Sequence, residues 1–250
     1  MGLGDDLLVT AQAREVFHLY GVPVVVGPHA EWSEVFENNP HILKKPQGRY
    51  AVLNNYRGHR PYIKAVQDGR MIFSDWKAKP GELYFKFQER RWAETKAPKT
   101  PFVVIEPHTK RTVFAGNKEW PFPRSQELVD KNPDIKFVQL GPQKTLQGVK
   151  FIKTDTFRQA CSILERAELY VGPEGGLHHA AAALGRKAVV IFGGHSNPNV
   201  TGYDFHTNIS RGEPCGSMRP CKHCENAMNA ISVNEVMEAV REAIASREVV

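Results

Sequence analysis

The stretch that most constrains this chain is Val171-Gly-Pro-Glu-Gly-Gly-Leu-His-His-Ala-Ala-Ala-Ala-Leu-Gly185. Leu169 to Val171 predicts a buried strand, Gly175-Gly176 a tight turn, and His178 to Leu184 a helix of small residues. Ala188 to Phe192 predicts the next strand. Free amides at such a helix start, aided by the helix dipole, form an anion site. Glycine lets a phosphate approach the backbone with no Cβ in the way. The glycines alone would equally suit a plain strand–turn–helix connection. Two histidines and the Glu174 carboxylate at the turn add the polar groups of a site.

The same alternation runs along the whole chain. Leu7, Leu8, Ala11, Val16, Phe17 and Leu19 mark one helical face that ends at Gly21. Val22 to Val26 reads as a buried parallel strand, Glu31 to Phe36 as a helix before Pro40, and Tyr50 to Leu53 as a strand. Tyr56 to Pro80 has no clear period, and Gly81 to Trp92 reads as strand, helix or both. Trp76, Tyr84, Phe85 and Phe87 are expected in the first core. Lys96 to Pro101 has the composition of a linker. Strands at Phe102 to Ile105 and Lys136 to Leu140 then flank a helix at Pro123 to Lys131. Phe157, Cys161, Leu164 and Ala167 form a further helical face. Ser232 and Glu235 predict a capping box ahead of a helix burying Val236, Met237, Val240 and Ile244. The fold class expected is α/β: two Rossmann-like domains with parallel sheets and helices on both faces, the N-terminal one reduced. Residues 1–98 form one domain and 99–250 the other, with ligands in the cleft beyond the strand ends.

Two further stretches carry polar groups at strand or helix ends. Gly2-Leu-Gly-Asp-Asp6 places glycines before a helix, with Asp5 near the N-cap, fit either to cap or to act as a base in the cleft. Ile105-Glu-Pro-His-Thr109 is followed by Asn117-Lys-Glu-Trp-Pro121, where Lys118 is either a point charge for a phosphate or merely solvated. His195, Asn197 and Asn199 follow the strand that ends at Phe192, a position that suits nucleotide or sugar contact.

Together these stretches resemble the heptosyltransferase-type family 9 glycosyltransferases, inverting enzymes of the GT-B architecture. That family opens with Gly-x-Gly-Asp, matched by Gly2 to Asp5. Its second domain opens with a strand ending in Pro-Gly and a Lys-x-Trp-Pro unit, matched by Pro107, Lys118, Trp120 and Pro121. Its signature Asp-x-Gly-x-x-His-x-Ala-Ala-Ala-Leu-Gly precedes a strand ending in Phe-Gly. Here that is Glu174, Gly176, His179, the alanines, Leu184, Gly185, Phe192 and Gly193. Glu174 replaces the family's Asp, and His108 stands where the family prefers glycine. The chain opens on the glycine turn itself, so the first sheet is expected either to be one strand short or to have its first strand in residues ahead of Met1.

The resemblance implies transfer of a heptose-like sugar from a nucleotide-sugar, ADP-heptose or similar, to an acceptor hydroxyl with inversion. Asp5 matches the general base. Lys118, Glu174, Gly175, Gly176, Leu177 and His179 fall on the donor side. Gly4, His108, Thr109 and His195 are weaker candidates for donor or acceptor contact. The chemistry needs no metal.

The cysteines add a separate signal. Cys215-x5-Cys221-x2-Cys224, with His206 and His223 near in sequence, suits one tetrahedral zinc or iron, the fourth ligand unassigned; a reduced thiol loop fits equally. The resemblance bears on this too, because an autotransporter-modifying branch of the family binds iron in that region. Cys161 lies on an apolar face and is expected in the core.

Composition closes off other classes. Gly and Pro total 37 residues, too few for a low-complexity chain, and no apolar run approaches the roughly 18 residues that span a bilayer. The first residues carry no basic segment, so a cytoplasmic protein without a secretory signal is expected. Net charge is +6 and the isoelectric point about 9.1, with no Lys/Arg stripe. A transferase acting on DNA bases therefore stays open as an alternative, as do a nucleotide-sugar-binding module without turnover and assembly into an oligomer.

Overall fold

A computed structural model describes residues 2–27, 31–54, 60–108 and 115–246. Helix α1 runs from Leu3 to Tyr20 and ends where Gly21, at φ 65°, returns its N–H to the Phe17 carbonyl. Its N-cap is Gly2, which corrects the capping reading of Asp5: Asp5 lies within the first turn, with its side chain turned into the site.

Strands β1 (Val24–Val26), β2 (Ile42–Leu43) and β3 (Ala51–Leu53) form a parallel sheet in the order β2-β1-β3. The helix expected at Glu31 to Phe36 is one 3-10 turn, Glu34–Phe36, capped by Ser33. Asn38, at φ 63°, and Pro40 leave it no room to propagate. α1 covers one face of this sheet, whereas Val52 on β3 is 54% exposed, so helices do not cover both faces here. The stretch without a clear period holds an antiparallel hairpin, β4 (Ile63–Gln67) and β5 (Arg70–Phe73). Asp68 and Gly69 both take positive φ at its tip, as a two-residue hairpin turn requires. Helix α2 (Phe87–Lys96) follows. Phe87 is 73% exposed and is not a core residue, because it opens a helix that buries only Ala93. Trp76 packs beside Leu8, Ala78, Ala182 and Tyr203, and Phe85 against the main core.

The second sheet is built from β6 (Val103–Ile105), α3 (Phe122–Asp130), β7 (Phe137–Gly141), β8 (Lys150–Lys153), α4 (Phe157–Leu164), β9 (Leu169–Pro173), α5 (Gly176–Ala183), β10 (Lys187–Gly193), α6 (Pro198–Thr201), β11 (Thr207–Ser210), α7 (Lys222–Ala230) and α8 (Val233–Ala245). Its six parallel strands lie in the order β11-β10-β9-β6-β7-β8. This is the doubly wound order, with the chain reversing direction between β6 and β9, where such sheets bind ligands. α4 and α5 join the apolar cluster on one face; α3, α7 and α8 close the other. Ser232 accepts the Glu235 amide at 3.2 Å, but the Glu235 carboxylate pairs with Arg211, so only half of the expected capping box forms.

The two sheets share one core. A single cluster runs from Leu7, Val9 and Val24 to Val104, Tyr170, Ala180 and Phe192, and α1 packs on α5. Arg158, 6% exposed, ties the halves together. It makes a bidentate pair with Glu89 (2.6 and 2.8 Å) and donates to the Glu34 and Tyr84 carbonyls. The Glu34 carboxylate accepts the Phe157 and Arg158 amides at the start of α4, where negative charge is favoured. Among the described residues no helix is long and apolar enough to cross a membrane.

Candidate active site

The crevice between the ends of β6 and β9 is lined by Glu106, Pro107, Gly172 and Pro173. A Cβ on Gly172 would fall 2.7 Å from the Glu106 carbonyl oxygen, so only glycine lets the two strand ends approach this closely. Burial pushes the Glu106 carboxyl up to about 8, against an opposing backbone hydrogen bond at His108.

β9 delivers Glu174 into this crevice, and Gly175 starts α5 without any side-chain cap, leaving the first-turn amides for an anion. The start of α1 lies against the start of α5. A Cβ on Gly4 would sit 2.7 Å from His179 Cδ2 and 3.6 Å from Gly176 Cα. Gly4, Gly176 and His179 are thus brought together across the two halves.

Glu174 is almost wholly buried. It pairs with Lys118, accepts the Ser196 hydroxyl at 3.1 Å, and lies 3.4 Å from His179 Nε2. Burial alone would raise its carboxyl, but the Lys118 ammonium and His179 hold it well below the usual carboxylate range. Lys118 is carried there between two anchors: the Trp120 indole donates to the Ile231 carbonyl at 3.0 Å, and the Asn117 amide to the Ser217 and Arg219 carbonyls. His179 Nδ1 meets the Tyr203 hydroxyl at 2.8 Å. Leu177 is buried against the core.

Asp5 faces a different set of groups. The Tyr62 hydroxyl donates to Oδ1 at 2.5 Å and the Arg60 guanidinium reaches Oδ2 at 2.8 Å. Burial and the Asp5 charge push the Tyr62 phenol far up, so it stays a donor. Burial opposes the Arg60 charge, but Asp5, Tyr62 and Asp6 together raise its guanidinium above the ordinary value. Sequence reasoning missed both residues. The Asp68-Gly69 dipeptide between two short apolar runs signals the hairpin that carries them.

The weaker candidates separate. His108 pairs with Glu119 at 2.9 Å and stacks flat on Phe122. Thr109 lies outside the described residues. His206 is not beside the cysteines: its Nε2 meets the Arg186 carbonyl at 3.0 Å, and its ring packs on His178 and Tyr203. Burial lowers His206 to about 4 and holds His178 well below its ordinary value, aided by neighbouring His179 and His206.

The cysteine cluster is real in space. Cys215 Sγ lies 3.8 Å from Cys221 Sγ and 3.2 Å from Cys224 Sγ. Buried His195 joins them, one ligand atom each from His195, Cys215 and Cys224 falling within 4.8 Å of one another. Burial, then Lys118, lower His195 to about 4, which keeps its ring neutral. Cys161 sits in the core instead.

Residues 146–231 match the sequence profile described as glycosyltransferase family 9 (heptosyltransferase). This segment is similar to glycosyltransferase family 9. It contains the β9–α5 turn, Glu174, His179 and the cysteine loop. The fold is shared with solved members. The family 9 glycosyl transferase from Veillonella parvula is 13% identical, with 98% of this chain and 95% of that one covered and a TM-score of 0.68. The iron-containing dodecameric glycosyltransferase TibC from enterotoxigenic E. coli is 14% identical, with 99% and 77% covered and a TM-score of 0.67. The E. coli ADP-heptose LPS heptosyltransferase II is 20% identical, with 67% of this chain covered and a TM-score of 0.51; the chain spans about half that protein's length, 54%. No curated protein matches the chain.

Proposed function

We propose that this protein is a glycosyltransferase that moves a heptose-like sugar from a nucleoside diphosphate donor, ADP-heptose or a close analogue, to an acceptor hydroxyl with inversion. Residues 1–98 would serve the acceptor and 99–250 the donor. The observation that carries the reading is the meeting of two helix starts. Asp5 is on one, and the uncapped amides of Gly176 and Leu177 are on the other, beside Lys118.

The acceptor oxygen attacks the anomeric carbon and forms the new C–O bond. The bond from that carbon to the phosphate oxygen breaks on the opposite face, and the acceptor proton passes to Asp5. Tyr62 and Arg60 each engage one carboxylate oxygen, and each oxygen keeps a second lone-pair site for that proton. The departing diphosphate gains negative charge as the α5 amides and Lys118 receive it; such preorganised donors are worth about 3–4 kcal/mol each. Glu174 holds Lys118 in place and leaves its remaining N–H groups for the phosphates. Every charge this step needs is supplied by side chains and amides.

Cys215, Cys221, Cys224 and His195 would hold a structural zinc or iron. The donor chemistry suits such an ion: the Cys215–Cys221 separation of 3.8 Å equals the edge of a tetrahedral site with metal–sulfur bonds of ~2.3 Å, and Cys215–Cys224, at 3.2 Å, would open slightly to admit it. The iron-containing nature of TibC supports the same assignment.

The test is mass spectrometry of reactions holding ADP-heptose, other nucleotide-sugars and a panel of acceptor glycosides and peptides. Transfer with release of nucleoside diphosphate, lost in Asp5→Asn, is the expected result. Salt-sensitive binding to duplex DNA with transfer to its bases would favour the DNA-modifying alternative. Nucleotide binding with no transfer to any acceptor would favour a binding module.

A further inference from the structure

The hairpin β4–β5 is a poor structure by itself. It has two strands, Val66 and Ile72 are exposed, and none of its side chains belongs to an apolar cluster among the described residues. Two-stranded hairpins of this kind are marginal in water without a third strand. The third strand comes from the cysteine loop. Met71 N–H donates to the Gly216 carbonyl at 2.8 Å, and Met218 N–H to the Gly69 carbonyl at 2.9 Å, with Arg70 opposite Ser217 in antiparallel register.

The same loop is bound on its other sides. Cys215 and Gly216 donate their amides to the Gly194 and His195 carbonyls, each at 3.0 Å. Asn117 accepts the Cys221 amide and donates to the Ser217 and Arg219 carbonyls. Gly216 sits at φ 58°, and any side chain there would overlap the Met71 carbonyl oxygen. The loop and hairpin can therefore close only around glycine.

The far end of the hairpin is the turn that carries Arg60 and Tyr62. Ile63 N–H returns to the Arg60 carbonyl at 3.0 Å, Ser74 N–H to the Tyr62 carbonyl at 3.1 Å, and the Ser74 hydroxyl to the Pro61 carbonyl at 2.6 Å. That turn presses both side chains onto Asp5.

We infer that the loop Cys215 to Arg219 seats the β4–β5 hairpin and so holds Tyr62 and Arg60 on Asp5, making Gly216 and Met71 positioning residues for the acceptor side of the site. The inference rests on the reading of Asp5 as the base, and its physical part is testable without any transfer. Gly216→Ala separates loop from hairpin without touching a sulfur or a residue of the site. Met71→Pro is the second variant; it removes the outward N–H and leaves the loop itself unchanged.

Hydrogen–deuterium exchange of the full chain should show peptides covering residues 60–74 exchanging at least tenfold faster in either variant, with β9 and β10 unchanged. Fluorine NMR of protein carrying 3-fluorotyrosine, with Tyr62→Phe assigning the signal, should show residue 62 resisting ionisation in the parent and titrating normally in the variants. Where transfer is measured, kcat should fall at least tenfold with donor KM and ADP affinity within twofold. Unchanged protection of 60–74, or a residue 62 signal that titrates alike in parent and variants, would overturn the inference. So would a loosened hairpin with unchanged kcat. If both physical readouts change as expected but Asp5→Asn transfers as well as the parent, the base assignment fails alone and the seating role stands.

Discussion

Two carboxylates near the meeting helix starts are held in contrasting ways. Glu174 sits in a single strand–turn–helix unit, and its partners Lys118, Ser196 and His179 all come from loops and helix starts of the second sheet. Asp5 is held by Tyr62 and Arg60, which lie more than fifty residues along the chain. Lys118 is as far from Glu174 along the chain, 56 residues, but the groups around Glu174 are fixed at the ends of elements of one sheet. The Asp5 side is assembled by tertiary contact and depends on a hairpin that another loop supports. The Glu174 side should therefore tolerate changes in the hairpin, and the Asp5 side should not.

The largest effect that can break this comparison is at Asp5. Asp5→Asn keeps the shape and removes the proposed base, so kcat should fall by about 10²–10⁴, measured as nucleoside diphosphate release with ADP affinity retained. Activity within a few-fold of the parent would remove Asp5 from the reaction.

Glu174→Gln strands the Lys118 charge in a mostly buried position. A loss of about 3 kcal/mol is expected, the lower end for a broken buried pair because Lys118 remains partly exposed. Urea unfolding should report it as a lower midpoint with unchanged slope. Gly4→Ala probes the line where the helix starts meet. Its Cβ would press on His179 Cδ2, costing about 1–3 kcal/mol as overpacking, and the same unfolding assay reads it.

The smallest expected effect is pH dependence. His206 is lowered to about 4 and His178 is held well below its ordinary value, both chiefly by burial. The unfolded chain therefore takes up these protons first, near pH 6.5. Stability is fully present above that pH and falls as pH drops toward 4, by somewhat under 1 kcal/mol for each histidine between pH 7 and 6. A His206→Asn variant should flatten that slope by the share of one histidine. The Glu174 carboxyl adds in the same direction at lower pH, because its depressed value makes stability fall as acid protonates it.

The legibility of the sequence follows the same division. The β9–α5–β10 unit could be read residue by residue, because glycine turn, alanine helix and apolar strands are all local signals. The Asp5 helix and its Gly21 stop were readable for the same reason. The hairpin was not, since its strands are exposed and carry no clean alternation, and its one strong signal was the Asp68-Gly69 turn. β8, β11 and α7 also escaped notice, being short or polar pieces fixed by the sheet beside them. The cysteines pointed to a cluster, but spacing alone could not bring in His195, which arrives from the end of β10. Phe87 was not legible because an aromatic residue at the start of a helix can face water as readily as core, and here it faces water.

The most direct test is a crystal structure of the protein with ADP. The diphosphate oxygens are expected within about 2.7–3.2 Å of the Gly176 and Leu177 amides, with the Lys118 ammonium alongside. A nucleotide seated anywhere other than the α5 start, with those amides turned to solvent, would contradict the proposed donor site.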